Sequence, residues 1–469
     1  PTNAVPPFTA DIEGPDNGLV GSEGRVSTEL DDHFTERLLR NANRAYRTQT
    51  PELLIAALSG AVARYLGTTR LRIDLEGHGR EDLFPDIDLS RTIGWLTSLY
   101  PVVLDAPSAE ADAASTIPLV KKTLRSVPDG GIGYGAARFL GTASQRARLE
   151  QTPASPIVFN YLGQTDQLLP ATSPIRFTEG PVGRGRSPVN RRPHLIEINA
   201  LVRDGRLRLE WLYSGDRHHR ETIQRLATAH LDVLREYLDH CVSCDTTGQT
   251  PADFPLADLD QAAVDHIGDT VQGAVEDILP LAPTQQGILF HREADPDSDA
   301  YIVQLRMRIV GPLDESALKK AWAWVMARHS ALRAAFVEDP KLNLHQVIVE
   351  TASLTWNRLD WQDMDDHDRR QALDRHCDDE RRNPFDLASP PLFRLSLIRT
   401  GAQVCDFVWT CHHVLVDGWS MANILHELTG AYARFRDGHL PGMDPAPGYA
   451  SYLTWLSSDR RLAPARDYW

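Results

Sequence analysis

The segment Cys411-His412-His413-Val414-Leu415-Val416-Asp417-Gly418-Trp419-Ser420 lies just where a hydrophobic run, Val404 to Thr410, ends. Neighbouring residues of a strand project to opposite faces, so only one of two adjacent histidines looks into a cleft while the other packs. A neutral imidazole, with an ordinary pKa of about 6.5, is suited to taking a proton from an amine near neutral pH. His413 is the candidate for that chemistry and His412 for packing; a pair of satisfied structural histidines is the alternative reading of the same residues. Asp417 can hold a turn by pairing with a cation, and Gly418 permits a tight bend. The other pair, His218-His219, has no Asp at the same spacing and receives no role.

A second cluster is Glu76-Gly77-His78-Gly79-Arg80-Glu81. Its two glycines let the backbone bend so that a carboxylate, an imidazole and a guanidinium converge; a charged surface turn has the same composition. Pro128 to Gly135 (PDGGIGYG) is glycine-rich, but no Gly-Lys-Ser/Thr follows, so it is not a phosphate-binding loop. Cys241 and Cys244 form a C-x-x-C without the second ligand pair a structural zinc needs, and no metal site is expected.

Elements must aim these groups. Thr50 as N-cap, Pro51 at the first helical position and Glu52 in the first turn open a helix carrying Leu53, Leu54, Ala57, Leu58 and Val62, and Gly67 closes it. Leu71 to Leu75 alternates apolar and charged residues, which predicts a strand with one buried face and Glu76 at its end. Leu195 to Leu201 and Arg206 to Tyr213 flank Asp204-Gly205 as a hairpin, and an amphipathic helix runs from about Glu221 to about His240. From Cys241 to about Thr270 the periodicity lapses among Thr, Asp, Gly and Pro, as in a linker with a short helical piece inside it. A second unit resumes at Val275, with a helix from about Asp314 to Arg328, strands at Leu392 to Ile398 and Val404 to Thr410, and a helix from about Ser420 to Phe435. Intermixed strands and helices predict a mixed α/β (α+β) fold. The basic run Gly180 to Pro193 reads as a solvated, mobile loop.

At 469 residues the chain exceeds what one core sustains, so at least two are expected. Apolar and charged fractions of 42% and 24% are those of an ordinary soluble globular protein. A net charge of −15 argues against nucleic acid, because binding a polyanion takes clustered Lys and Arg. No stretch reaches the roughly 18 apolar residues that span a bilayer, and the N-terminal residues are not signal-like, so a cytoplasmic protein with no membrane partner is expected. Pro1 in place of Met reads as an excised fragment.

HHVLVDG resembles the HHxxxDG signature of the condensation domains of nonribosomal peptide synthetases and of the wider chloramphenicol-acetyltransferase-like superfamily. Leu281 to His291 (LAPTQQGILFH) resembles the opening motif of these domains, Arg328 to Arg333 (RHSALR) their RHxxLR helix end, and Tyr449 to Trp455 the segment closing their N-terminal lobe. The resemblance implies that an acceptor amine attacks a donor thioester and that His413 is the catalytic or positioning residue. It further implies that Asp417 is held by Arg328 or Arg333 in a structural salt bridge. Gly287 to His291 is similar to the subgroup that follows epimerases, which implies a D-configured donor.

Glu76 to Glu81 (EGHGRE) resembles a motif of epimerization domains, and Asp88 to Pro101, Pro128 to Gly135 and Phe159 to Gln164 resemble later motifs of that family, in order. The resemblance implies that Glu76 is an acid/base for the weakly acidic α-proton beside a thioester, with Asn160 and Tyr161 near the substrate. His78 and Arg80 either orient Glu76 or brace the turn.

An epimerization domain also carries HHxxxD upstream of EGHGRE, and none precedes Glu76 here; the condensation part ends at Arg466 to Trp469, where the N-terminal lobe of that family closes. The organisation expected is the C-terminal lobe of an epimerization domain (1–240), a linker (241–274) and the N-terminal lobe of a condensation domain (275–469), two chloramphenicol-acetyltransferase-like lobes with both active sites incomplete. The implied function joins L-to-D epimerization of a carrier-bound aminoacyl or peptidyl thioester to peptide bond formation. No cofactor is expected to bind directly; substrates would arrive on the 4′-phosphopantetheine of upstream and downstream peptidyl carrier domains. The alternatives are a non-catalytic scaffold or carrier-docking platform, and a permuted acyltransferase placing Glu76 opposite His413.

Overall fold

The computed structural model describes the chain apart from residues 1–4, 6–7, 15–16, 82, 84–86, 107–111, 168–172, 174–184, 245–247, 296–297, 443–445 and 458–469. The chain-end segment Arg466 to Trp469 therefore lies outside the described residues. Two compact units divide at Ala252/Asp253, and strands and helices intermix in both, which is the mixed α/β class expected.

The first unit runs β1 (Glu23–Leu30), α1 (Asp32–Arg40), α2 (Ala42–Ala45), α3 (Thr50–Leu66), β2 (Arg70–Gly77), β3 (Ser98–Asp105), α4 (Ala113–Arg125), α5 (Ile132–Leu140), α6 (Ala143–Glu150), β4 (Ile157–Gln164), β5 (Ile196–Arg203), β6 (Arg206–Ser214) and α7 (Arg220–Ser243). Its six strands form one sheet in the order β1-β6-β5-β4-β2-β3, with β5, β4 and β2 parallel and the outer pairs antiparallel. The alternation read in β2 buries Leu71, Ile73 and Leu75; Ile157, Phe159, Ile196, Ile198, Leu209 and Trp211 join them in one core with α3 and α7. The helix expected from Thr50 is α3, but its cap is one residue earlier, the backbone N–H of Gln49 donating to Glu52 Oε2 at 2.7 Å. Gly67 closes it in the left-handed region at φ 64°. The hairpin between β5 and β6 turns on Asp204 (φ 54°) and Gly205 (φ 73°), both left-handed as a two-residue turn requires.

The second unit runs α8 (Gln261–Thr270), β7 (Val275–Leu279), α9 (Pro283–Ala294), β8 (Ile302–Val310), α10 (Glu315–Arg328), β9 (Ala334–Glu338), β10 (Leu344–Val349), β11 (Trp356–Asp360), α11 (Asp366–Arg382), β12 (Phe393–Gly401), β13 (Val404–His412), α12 (Gly418–Arg436) and α13 (Tyr449–Leu456). A small sheet has the order β7-β10-β9 and a larger one β11-β12-β13-β8. β13, buried from Asp406 to His412, is a central strand, and Trp409 on it meets Trp322 of α10 edge-on at 5.1 Å. Such aromatic pairs add about 0.5–1.5 kcal/mol beyond the area they bury.

Between Cys241 and Ala274 the described residues include the expected short helical piece, α8, and an extension of α7. α7 continues to Ser243 because Cys241 is buried. Val264 and Ile267 of α8 pack in one cluster with Val275, Ile278 and Val347, and the Asp260 carboxylate caps α8 at 2.9 Å. The basic run is also not uniformly solvated. Gly180 to Arg184 lie outside the described residues, but Arg192 is fully buried, its guanidinium donating to Glu23 and, at 3.3 Å, to Glu197. Two carboxylates offset the cost of desolvating that charge, which composition alone does not reveal.

Candidate functional site

In the first unit the site lies on the sheet face opposite the core. The period of two puts Asp74 and Glu76 of β2 on that face; Val158 pairs with Asp74 and Glu197, and Asn160 with Asn199. Glu76, Asn160, Glu197, Asn199, His194 and Arg186 line an open cavity of about 720 Å³. Asn160 Nδ2 donates to Glu76 Oε2 at 2.7 Å, so the structure joins these two expected residues directly. Loss of hydration pushes the Glu76 carboxyl above its ordinary range, and the nearby Glu197 carboxylate pushes the same way, against Arg186 and His194. A carboxylate whose charge is disfavoured is a better proton acceptor.

Tyr161 is not brought to Glu76. It follows Asn160 in β4 and so projects to the other face, where it packs partly buried against the core. His78 and Arg80 brace the turn: His78 Nδ1 accepts from the Arg80 N–H at 3.0 Å, and the Arg80 guanidinium donates to the carbonyls of His78 and Thr92 at 3.3 and 3.0 Å. Among the described residues neither hydrogen-bonds to Glu76. Gly79 is required by the bend itself, with φ 66° and the Leu96 carbonyl oxygen occupying the space a Cβ would need.

In the second unit β13 delivers the histidine pair. His412 is 3% exposed, and its Nδ1 accepts from the Val414 N–H at 3.2 Å. Burial, with Arg292 and His413 nearby, pushes its imidazole down to about 4, so it is neutral with the hydrogen on Nε2. It packs, as expected, and also walls a cavity of about 300 Å³ with His291, Arg292, Tyr301 and Phe385. His413 is half-buried and held twice, its N–H donating to the Tyr301 carbonyl at 2.8 Å and its Nδ1 lying 2.7 Å from the Val416 carbonyl. A carbonyl only accepts, so Nδ1 carries the hydrogen. In the neutral ring the lone pair is therefore on Nε2, which has no hydrogen-bond partner among the described residues.

Among the described residues the salt bridge expected for Asp417 is not formed. Asp417 is exposed and caps α12, its Oδ1 accepting from the Ser420 N–H at 2.7 Å, and the bonds from Ser420 hold its carboxyl below the usual range. Arg328 donates to Glu427 at 3.0 Å, beside His329 on the same carboxylate. Arg333 is buried and donates to Glu276 and to the carbonyls of Val349 and Met326. The first N–H groups of a helix need an acceptor, and Asp417 fills that need for α12. Replacing Asp417 with Ala should therefore cost about 1 kcal/mol of stability. Chemical denaturation would measure it, and a loss of about 3–5 kcal/mol would point instead to a broken buried ion pair.

The Condensation domain family matches residues 10–259 and 275–469. The chain belongs to that family. It is 35% identical over 436 residues to one of the linear gramicidin synthase proteins of Brevibacillus parabrevis, covering 93% of this chain and 8% of that protein. It is 35% identical over 446 residues to bacitracin synthase 3 of Bacillus licheniformis, covering 94% of this chain and 7% of that protein. The chain thus spans less than a tenth of the length of either relative. The epimerization domain from the third module of tyrocidine synthetase B has 36% identity, with a TM-score of 0.46 over 52% of this chain and 53% of that one.

Two features of this condensation-family chain escaped sequence reasoning. Gln285, inside the opening motif, is buried and donates to Gln346 Oε1 at 3.1 Å and to the Val414 carbonyl at 3.2 Å, tying α9 and β10 to the loop that carries His413. The other is the charged group around Glu197, assembled from Glu23, Arg186 and Arg192. Gln285 stands beside an exposed Gln286 in a polar helix start, so nothing local signals either feature.

Proposed function

We propose that the chain is the junction between two catalytic domains of a nonribosomal peptide synthetase. Residues 1–240 act as the C-terminal lobe of an epimerization domain and 275–469 as the N-terminal lobe of a condensation domain, joined through 241–274. The observation that carries the reading is that each unit presents a proton-handling group on an open surface: Glu76 with Asn160 on a polar sheet face, and His413, beyond a strand end, with an Nε2 that has no partner among the described residues. Glu76 takes the α-proton of a carrier-bound thioester. His413 orients or deprotonates the acceptor amine that attacks the next donor thioester, with Asp417 and Gly418 starting the helix behind it and His412 packed beneath.

Carrier domains bearing 4′-phosphopantetheine are the partners of this reading, since no part of the chain is assigned to holding a thioester covalently. A cytoplasmic setting suits it, and no helix among the described residues is long and apolar enough to cross a membrane. For the donor, Ile288 and Leu289 of the Gly287 to His291 run are buried while Gly287, Phe290 and His291 are exposed, which leaves the latter three to meet a substrate.

The test rebuilds the complete condensation domain in its synthetase, presents D- and L-aminoacyl donors on the upstream carrier in parallel, and compares initial rates of dipeptide formation. The D donor should react about a hundredfold faster, equivalent to roughly 3 kcal/mol of difference in transition-state binding. Equal rates, or a preference for L, would sink the donor assignment; no dipeptide from either would sink the condensation reading.

A further inference from the structure

The second unit holds a cavity that no step of the proposed chemistry uses. Its volume is about 300 Å³, and His412, Arg292, Tyr301 and Phe385 are among its walls. His412 is buried and neutral, and its Nδ1 is taken by the Val414 N–H at 3.2 Å. The hydrogen therefore sits on Nε2, which has no partner among the described residues. Unlike His345 Nδ1 or Trp409 Nε1, this nitrogen is not sealed in the core, so it faces the open space beside the ring.

Arg292 adds charge to the same corner. Its Nη2 donates to the Phe385 carbonyl at 2.7 Å, while Nη1 is buried and meets no acceptor. Burial pushes the guanidinium below its ordinary range, and Asp386 acts on it only from a distance. The partly buried or buried arginines Arg328, Arg333 and Arg394 of this unit each have a carboxylate: Glu427 at 3.0 Å, Glu276, and Glu380 at 2.8 Å. Among the described residues Arg292 has none within ion-pair distance. A desolvated cation without a counter-ion is costly to keep. The Phe385 ring meets the His412 ring edge-on at 6.5 Å, and Arg292 helps depress the His412 imidazole, so guanidinium and imidazole stand close together.

The acids of this lining, Asp295 and Asp299, are exposed, and Asp299 is already paired with Arg381 at 3.1 Å. His291 and Arg382 are exposed and hydrated. What the interior lacks is an acceptor carrying one negative charge. A carboxylate supplies it and suits the flat guanidinium, whereas a doubly charged phosphate would overshoot. We propose that the cavity is a carboxylate-binding site in which the anion lies against the Arg292 guanidinium and accepts from His412 Nε2–H. Phe385 and Tyr301 give walls for a short apolar body. The site gives His412 a task besides packing, one residue from His413, and occupancy ties α9 to the strand end that carries both.

The test titrates the full chain with propionate and with propionamide, which has the same shape and no charge, reading the heat of binding and the imidazole nitrogen resonances of His412. Propionate should bind at least about tenfold more tightly, as expected of a hydrogen bond to a charged partner, and should shift the Nε2 resonance. Arg292→Gln should abolish the preference and His412→Phe should weaken propionate severalfold. Arg308→Gln, which breaks an exposed pair with Asp406, should change neither. The comparison of the two ligands needs no variant, so it decides the matter even where a substitution fails to fold. In the intact synthetase, competition with propionate by a carrier-bound substrate whose side chain ends in a carboxylate, and not by its carboxamide counterpart, assigns the anion to the substrate. Absence of competition assigns it to a free carboxylate. No binding, equal affinity for the two ligands, or a propionate affinity that survives Arg292→Gln in folded protein overturns the proposal.

Discussion

Changing His413 to Ala in the intact synthetase is expected to lower peptide bond formation by about two to four orders of magnitude, the usual contribution of a positioned acid–base group. Aminoacyl loading of the carriers should be unaffected. The expectation rests on the fixed tautomer: Nδ1–H is committed to the Val416 carbonyl at 2.7 Å, and Nε2 keeps a lone pair with no partner among the described residues. An alanine removes both the lone pair and the ring that holds the loop. Single-turnover dipeptide formation, measured beside mass-spectrometric loading, separates the two effects. Elongation near the normal rate would remove His413 from the reaction. His412 to Ala should act differently, through stability, since a buried neutral imidazole is lost from the core.

The second large effect is expected at Glu76. Glu76→Gln keeps the size and shape of the side chain, including an oxygen that can accept from Asn160, yet cannot take a proton. α-Proton exchange in heavy water should fall by about two orders of magnitude or more for the antipode whose proton Glu76 removes. The pH dependence follows from the raised carboxyl: the base works only when ionised, so exchange declines on the acid side, beginning above the range of an ordinary glutamate near 4.3. Glu197→Gln removes a like charge that raises Glu76, and should move that acid limb to lower pH. An unmoved limb would show that burial alone sets it.

Much of the frame was legible because it is written in short-range periodicity. The alternation from Leu71 to Leu75 placed Glu76 at a strand end, and the apolar run before His412 placed the pair at the end of β13. The Asp204-Gly205 turn and the Gly67 stop were readable because each depends on backbone angles that few residues adopt. Boundaries moved by one to three residues where burial decided them, as at Cys241.

Partnership was not legible. Asp74 and His194 meet across 120 residues of sequence, Arg192 and Glu23 across 169, and Gln285 and Val414 across 129. Which carboxylate an arginine finds depends on which strands become neighbours, and Arg333 went to Glu276 rather than Asp417 because β7, β10 and β9 share a sheet beside it. The sequence by itself determined the elements and the ends at which Glu76 and His413 emerge, since side-chain periodicity and turn chemistry act over a few residues. Only the tertiary structure decided that Asp74 holds His194, that Arg192 is buried between Glu23 and Glu197, and that Arg333 pairs with Glu276, since desolvation and pairing depend on groups the fold brings together from far along the chain.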